Sequence, residues 1–216
     1  MNSLAVWYLM RASGVVTTIL LTVVFSLGIA TTKRWQPARL PRFVTVALHR
    51  NVSLLAVLFL ALHVGTAVVD RYAHVGPAAV FVPFTAGNRP LWVGLGAMSL
   101  DLIAALVATS LLRRHIGLRA WRVAHWAAYL AWPLALVHGL GMGSDTKAVW
   151  LESISGACVA VVTGVVLWRL HGAGTGTKHL DRRVGTDAAR QRGLAAAARM
   201  AQVPASPAPE RRGAAS

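Results

Sequence analysis

Phe43-Val-Thr-Val-Ala-Leu-His49-Arg50-Asn-Val-Ser-Leu-Leu-Ala-Val-Leu-Phe-Leu-Ala-Leu-His63-Val-Gly-Thr-Ala-Val-Val69 is an apolar run interrupted by few polar residues, two of them histidines. A helix rises ~1.5 Å per residue, so ~20 residues cross a ~30 Å hydrocarbon layer. Lipid offers no hydrogen bonds to a backbone, so such a run must close its own and be helical. Four similar blocks lie around it, giving approximate spans 8–30, 43–69, 91–112, 121–142 and 148–169. The alternating ~10-residue segments of a membrane β-barrel are absent. The expected fold class is an all-α integral membrane protein, a bundle of about five transmembrane helices.

Composition agrees. Of 216 residues, 56% are hydrophobic, and the mean hydropathy is positive, more apolar than a soluble domain of this length. The formal net charge of +15 invites a nucleic-acid reading, but the basic residues sit in connections between apolar blocks and in the C-terminal tail. Lys33, Arg34, Arg39 and Arg42 fill the first connection, and Arg113, Arg114, Arg119 and Arg122 cluster in or beside the third. The second and fourth are poorer in charge. This alternation follows the positive-inside rule, placing those two connections and the tail in the cytoplasm and the N-terminus outside, in a multi-pass plasma-membrane topology with no nucleic-acid partner. A cleaved signal peptide is the rival reading of the first block. The run Gly14 to Ala30 is followed at once by Lys33 and Arg34, which favours a retained span. Cys158 is the only cysteine; it excludes intrachain disulfides and iron–sulfur clusters and reads as a small core residue. The expected organisation is a membrane domain over 1–170 and a basic cytoplasmic tail over 171–216, largely disordered, whose Gly, Ala, Pro and Arg content suits solubilisation. The tail is too short for a flavin or nicotinamide domain.

Four of the eight histidines fall inside apolar blocks. His49 and His63 are fourteen residues apart, His125 and His138 thirteen. Ionisable groups at membrane depth are costly and usually functional, and neutral imidazole is a common haem axial ligand. Along a helix these spacings are ~21 Å and ~20 Å. By the topology above both spans run from the cytoplasm outward, so His49 is level with His125 and His63 with His138. Each level offers two imidazoles to one iron, an inner and an outer haem b. Histidines ~20 Å apart on one helix cannot share a bare metal ion. The angular test is less clean: at ~3.6 residues per turn, fourteen residues return within ~40° of the starting face, but thirteen miss it by ~140°. Pro133, between His125 and His138, is the expected source of a bend or re-phasing. The alternative is that all four are packing histidines bonded to neighbouring backbone.

These pairs, on spans separated by one intervening helix, resemble the ferric reductase-like transmembrane domain. That superfamily includes the membrane cores of ferric reductases and NADPH oxidases and the haem-binding subunit of the periplasmic methionine sulfoxide reductase system. Small actinobacterial members are resembled by Arg11-Ala-Ser-Gly14, by Val82-Pro-Phe-Thr-Ala-Gly-Asn-Arg-Pro-Leu-Trp-Val-Gly-Leu-Gly96 and by Leu134-Ala-Leu-Val-His138-Gly-Leu-Gly. The resemblance covers about residues 8–169. It implies two haems stacked across the membrane, electrons moving outward, and a helical bundle around them. It also implies that Arg11 pairs with an outer-haem propionate, where the alternative is an arginine snorkelling to the interface. Arg71 and Arg89 are candidates for the same task, and Arg42, Arg50 and Arg122 for the inner propionates. Larger members carry FAD and NAD(P)H domains after the last span, and this chain has neither within its 216 residues. The donor expected is therefore a cytoplasmic flavoprotein reductase or quinol, and the acceptor ferric iron, oxygen or an extracytoplasmic protein.

Other residues carry weaker signals. Asp101, the one carboxylate deep in a span, is a candidate to orient a ligand histidine, relay a proton or tie to Ser99. His74 reads as a solvated loop residue, and His115, His171 and His179 as surface. Trp126, Trp132, Phe59 and Tyr129 are candidates to pack on porphyrin or to face lipid. Two further function classes stay open: a single-haem or haem-sensing membrane protein, and a cofactor-free transporter or structural subunit. An oxidoreductase subunit is the leading expectation.

Overall fold

A computed structural model describes residues 3–32, 42–70, 75–142 and 149–171. Within them the chain forms helices α1 (Ser3–Thr32), α2 (Arg42–Val69), α3 (Pro77–Phe81), α4 (Pro90–Leu111), α5 (Arg113–His125) and α6 (Ala128–Met142), followed by α7 (Val149–His171). No strand occurs among the described residues. Four helices, α1, α2, α4 and α7, are long and apolar enough to cross a membrane, and α6 is a shorter apolar helix. Large apolar side chains such as Leu54, Leu58, Val149 and Leu170 stand exposed on them, as lipid-facing residues do. The chain is an all-helical, multi-pass membrane protein.

One expectation needs revision. The span over 121–142 is not one helix: α5 ends at His125, Trp126 and Ala127 form a turn, and α6 starts at Ala128. The connection over 70–90 contains α3, started by Pro77 at its first turn after Gly76, a position where a missing N–H costs nothing. The tail after 171, with His179, and the loop residues Arg71 and His74 lie outside the described residues.

The helices pair as hairpins. α1 packs along α2 and α4 along α6, and α1 also meets α6. The buried stripe of α1 is small and largely polar: Val6, Ser13, Thr17, Thr22 and Ile29. Its hydroxyls are satisfied within the helix, Thr17 donating to the Ser13 carbonyl at 2.7 Å and Thr22 to that of Thr18 at 2.9 Å. Small residues let neighbouring helices approach closely where there is no water to drive them together. α7 joins through Cys158 and Val162, which pack with Trp132 and Leu136 of α6 and with Leu21 and Phe25 of α1. Cys158 is thus a core residue.

One hydrogen bond crosses this core: Trp132 Nε1–H donates to Thr22 Oγ1 at 2.9 Å. Thr22→Val removes the acceptor while keeping the shape and strands a buried indole N–H. It is expected to lower stability in detergent by about 1 kcal/mol, measured by reversible denaturant unfolding against Thr18→Val, whose hydroxyl bonds only the carbonyl of Gly14 at 3.1 Å in its own helix.

Candidate functional site: two layers of imidazole

His63 and His138 are brought together. Their ring centroids lie 6.2 Å apart, with ring planes at 77°. Each ring is fixed from behind. His63 Nδ1–H donates to the Met10 carbonyl of α1 at 2.8 Å, and His138 Nδ1–H donates to the Trp92 carbonyl of α4 at 2.8 Å. A carbonyl can only accept, so Nδ1 carries the proton in both rings, and the neutral imidazole keeps a bare lone pair on Nε2.

A helical carbonyl is already engaged by the N–H four residues on, but it has a second lone pair. Reaching that lone pair from the side requires space at the residue that covers it. Both times that residue is glycine. A Cβ on Gly14, four residues after Met10, would stand 3.0 Å from His63 Nδ1 and Cε1; one on Gly96, four after Trp92, would stand 2.6 Å from His138 Nδ1. The inner layer repeats the pattern on one side. A Cβ on Gly28 would stand 3.5 Å from His49 Cε1, and the backbone four residues earlier, Val24, is the one His49 is set against. There the bond is not closed: His49 Nδ1 is buried with no partner of ordinary hydrogen-bond geometry. Gly14 and Gly28 are fourteen residues apart, like His63 and His49, so the antiparallel α1–α2 pair carries two glycine–histidine contacts in register.

His125 is the exception. It lies within electrostatic range of His49 and of Arg113, but its Nδ1 is buried and unbonded, none of the described glycines lies against it, and its ring leans on Trp121 with centroids 4.4 Å apart. It is also the last residue of α5. From Val123 to Leu130 the backbone makes i to i−3 bonds, Trp126 N to Val123 O at 3.1 Å, Ala127 N to Ala124 O, Tyr129 N to Trp126 O and Leu130 N to Ala127 O at 3.0 Å each. Winding at ~3.0 instead of ~3.6 residues per turn advances each residue by ~20° more. Several such residues recover much of the ~140° by which a regular helix misaligns thirteen-residue spacing. The re-phasing lies upstream of Pro133, which sits inside α6.

The remaining candidates separate. Arg11, one turn before Gly14, packs its guanidinium 4.7 Å from the Trp7 ring centroid. Arg89 donates to the Gly141 carbonyl at the end of α6, at 3.1 Å. Ser99 donates to the Ala131 carbonyl at 2.8 Å, not to Asp101, which lines an open groove between α4 and α6 with Met98, Leu102, Leu130, Pro133, Leu134 and Val137. Tyr129 receives a hydrogen bond from Arg169 at 2.6 Å and stacks with Trp126. With Trp132 in the α7 core, these side chains are committed to packing and ion contacts. Arg50, Arg122 and His115 are exposed.

Residues 13–136 match the family described as ferric reductase like transmembrane component. The match covers more than half of the chain, and the protein belongs to that family. No curated protein and no solved structure gives a significant match. The matched segment contains His49, His63 and His125 and stops two residues before His138. Transmembrane domains of this family generally bind haem, which makes the residues' fit to porphyrin the next question.

The outer pair fits. Metal–imidazole bonds of ~2 Å put two coordinating nitrogens ~4 Å apart, with ring centroids further back, the scale of the 6.2 Å seen. Two imidazoles leave a bare zinc two ligands short but complete an iron held in plane by four porphyrin nitrogens. Among the described residues no cluster of three or more His, Cys, Asp or Glu is placed to hold a metal ion. α2 and α6 are not among the helix pairs that pack extensively, and their two rings meet edge to face with centroids 6.2 Å apart. Gly96→Ala should push the His138 ring off the Trp92 carbonyl and weaken haem retention about ten- to hundredfold. Gly139→Ala, beside His138 but with nothing within 4 Å of the added carbon, should retain haem normally. The haem-to-protein absorbance ratio after purification reads both.

Proposed function

We propose that this protein is a di-haem cytochrome b of the membrane, an electron-transfer subunit that carries reducing equivalents from the cytoplasmic face to the outer face. The observation that carries the reading is the outer pair: two half-buried imidazoles, each with Nδ1–H held by a helix carbonyl, their ring centroids 6.2 Å apart. Neutral rings with Nε2 free are what axial ligation requires. His63 and His138 would hold the outer haem b, and His49 and His125 the inner one. Bound there, each porphyrin iron supplies a one-electron carrier.

The chain's own groups then do three things. The four histidines fix the carriers at two depths, ~21 Å apart along α2 at ~1.5 Å per residue. The surrounding Leu, Val and Ala side chains keep water out and so keep protons from following the electron. Arg11, a turn from Gly14 and so close to the His63 level, is placed to balance an outer propionate. Arg50 and Arg122, adjoining His49 and His125 in sequence, are placed for the inner ones. The basic segment Arg113–Arg122 marks the cytoplasmic side by the positive-inside rule, with the N-terminus outside and the C-terminus inside the cell. The donor is a cytoplasmic flavoprotein reductase or quinol, and the acceptor ferric iron or an extracytoplasmic redox protein, which makes the chain the membrane half of an oxidoreductase.

The full-length protein purified from haem-replete cells should show a dithionite-reducible b-type spectrum with about two haems per chain, as bis-histidine ligation at two levels requires. His63→Ala and His138→Ala should each remove one haem and leave the other. Colourless protein, or a single haem that survives loss of any one of the four histidines, would overturn the assignment.

A further inference from the structure

We propose that the two seats are unequal: the chain alone pre-forms the outer seat, which takes haem first and more tightly, whereas the inner seat becomes complete only as haem enters it. This rests on the di-haem reading above. The two layers look alike as sequence, each a pair of histidines, but the polar groups behind the rings differ.

At the outer layer both Nδ1 atoms are bonded at 2.8 Å, to Met10 and Trp92. Those bonds select one tautomer and one ring orientation before any ligand arrives, leaving Nε2 as the unprotonated nitrogen of two rings whose centroids lie 6.2 Å apart. The glycines hold this geometry tightly, since Gly14 and Gly96 leave 3.0 Å and 2.6 Å to the ring where a Cβ would be. At the inner layer neither Nδ1 makes a hydrogen bond of ordinary geometry, His49 being only set against the Val24 backbone. Gly28 leaves a looser 3.5 Å against His49, and none of the described glycines lies behind His125. His125 also closes α5, immediately before the turn at Trp126 and Ala127, and its ring rests on Trp121.

Haem entering the inner seat must therefore select the tautomer, lift or slide the His125 ring against Trp121, and order a helix junction. Haem entering the outer seat finds that ordering done. Anchoring partners of a metal-bound histidine are typically worth ten- to hundredfold in affinity. A difference of that order between the seats is the expectation.

The test is titration of the full chain, purified in detergent from haem-depleted cells, with ferric protoporphyrin IX followed at the Soret band. Two phases are expected, with dissociation constants ten- to hundredfold apart. His63→Gln or His138→Gln should abolish the tight phase, and His49→Gln or His125→Gln the weak one. Equal phases, or a tight phase lost in the His49 or His125 variants, would overturn the inequality while leaving the di-haem reading intact. No Soret band in the wild type would instead remove the di-haem reading itself. A second measurement does not depend on the variants binding haem. In the haem-free, ¹⁵N-histidine-labelled protein, two Nδ1–H protons should exchange slowly with solvent and disappear on substitution of His63 and His138. Slow protons that track His49 and His125 would also overturn the proposal.

Discussion

An imidazole surrounded by hydrocarbon must place one N–H, and this bundle answers with the second lone pair of a helix carbonyl. Every backbone carbonyl inside a transmembrane helix is engaged once, yet a side approach remains if the residue one turn on has no side chain. Met10 with Gly14 and Trp92 with Gly96 supply that approach. Glycine within a helix costs about 1 kcal/mol relative to alanine, a cost that close helix contact and a charge-free hydrogen bond in a low dielectric offset. The same glycine thus sets the interhelical distance, the ring orientation and the tautomer. Helix packing and imidazole orientation are one problem here.

This division of labour explains the architecture. α2 carries His49 and His63, α6 carries His138 and the end of α5 carries His125, while α1 and α4 act as backing helices that supply carbonyls and glycines. α2 and α6 are each paired with their own backing helix, α2 with α1 and α6 with α4. α7 contributes no candidate ligand; it closes the opposite side of α1 and α6 with Cys158 and Val162, and Trp132 is held there by Thr22. The aromatic residues of α6 therefore face away from the role of porphyrin lining that proximity in sequence suggested for them.

The parts of this arrangement that follow a period or a composition were legible in the chain. Apolar blocks of membrane length gave the helices, and the spacings within 43–69 and 121–142 gave two depths for the histidines. The glycines were not legible as partners: Gly14, Gly28 and Gly96 are three among 19, and only the register of antiparallel neighbours distinguishes them. The spacing of Gly14 and Gly28, matching that of His49 and His63, was a usable signal. The break at Trp126–Ala127 escaped because no glycine or proline marks it. Pro133 is the visible helix breaker, but a proline acts on the carbonyl four residues before it, Tyr129, whereas the i to i−3 bonds end on the carbonyls of Val123, Ala124, Trp126 and Ala127. Arg89 was read as a partner for propionate because its charge is visible and the Gly141 carbonyl near it in space is not.

The connection between α2 and α4 shows the same economy in a strained form. Phe84 and Arg89 both adopt positive φ, 67° and 45°, a backbone state that costs a non-glycine residue about 1–3 kcal/mol and lasts only where surroundings over-determine it. They are over-determined. The Phe84 ring occupies the space where a Cβ on Gly94 would go, and Trp92 does the same at Gly141. Arg89 caps α4 and bonds the Gly141 carbonyl, satisfying one of the open acceptors at the end of α6. Ala79, Ala86 and Val93 pack beside them with Met142. All these contacts pin the start of α4 to the end of α6, within a turn of the Trp92 carbonyl and of His138. A small slide between those two helices would break the bond that orients the ring, so the strain is held where the outer layer tolerates least movement.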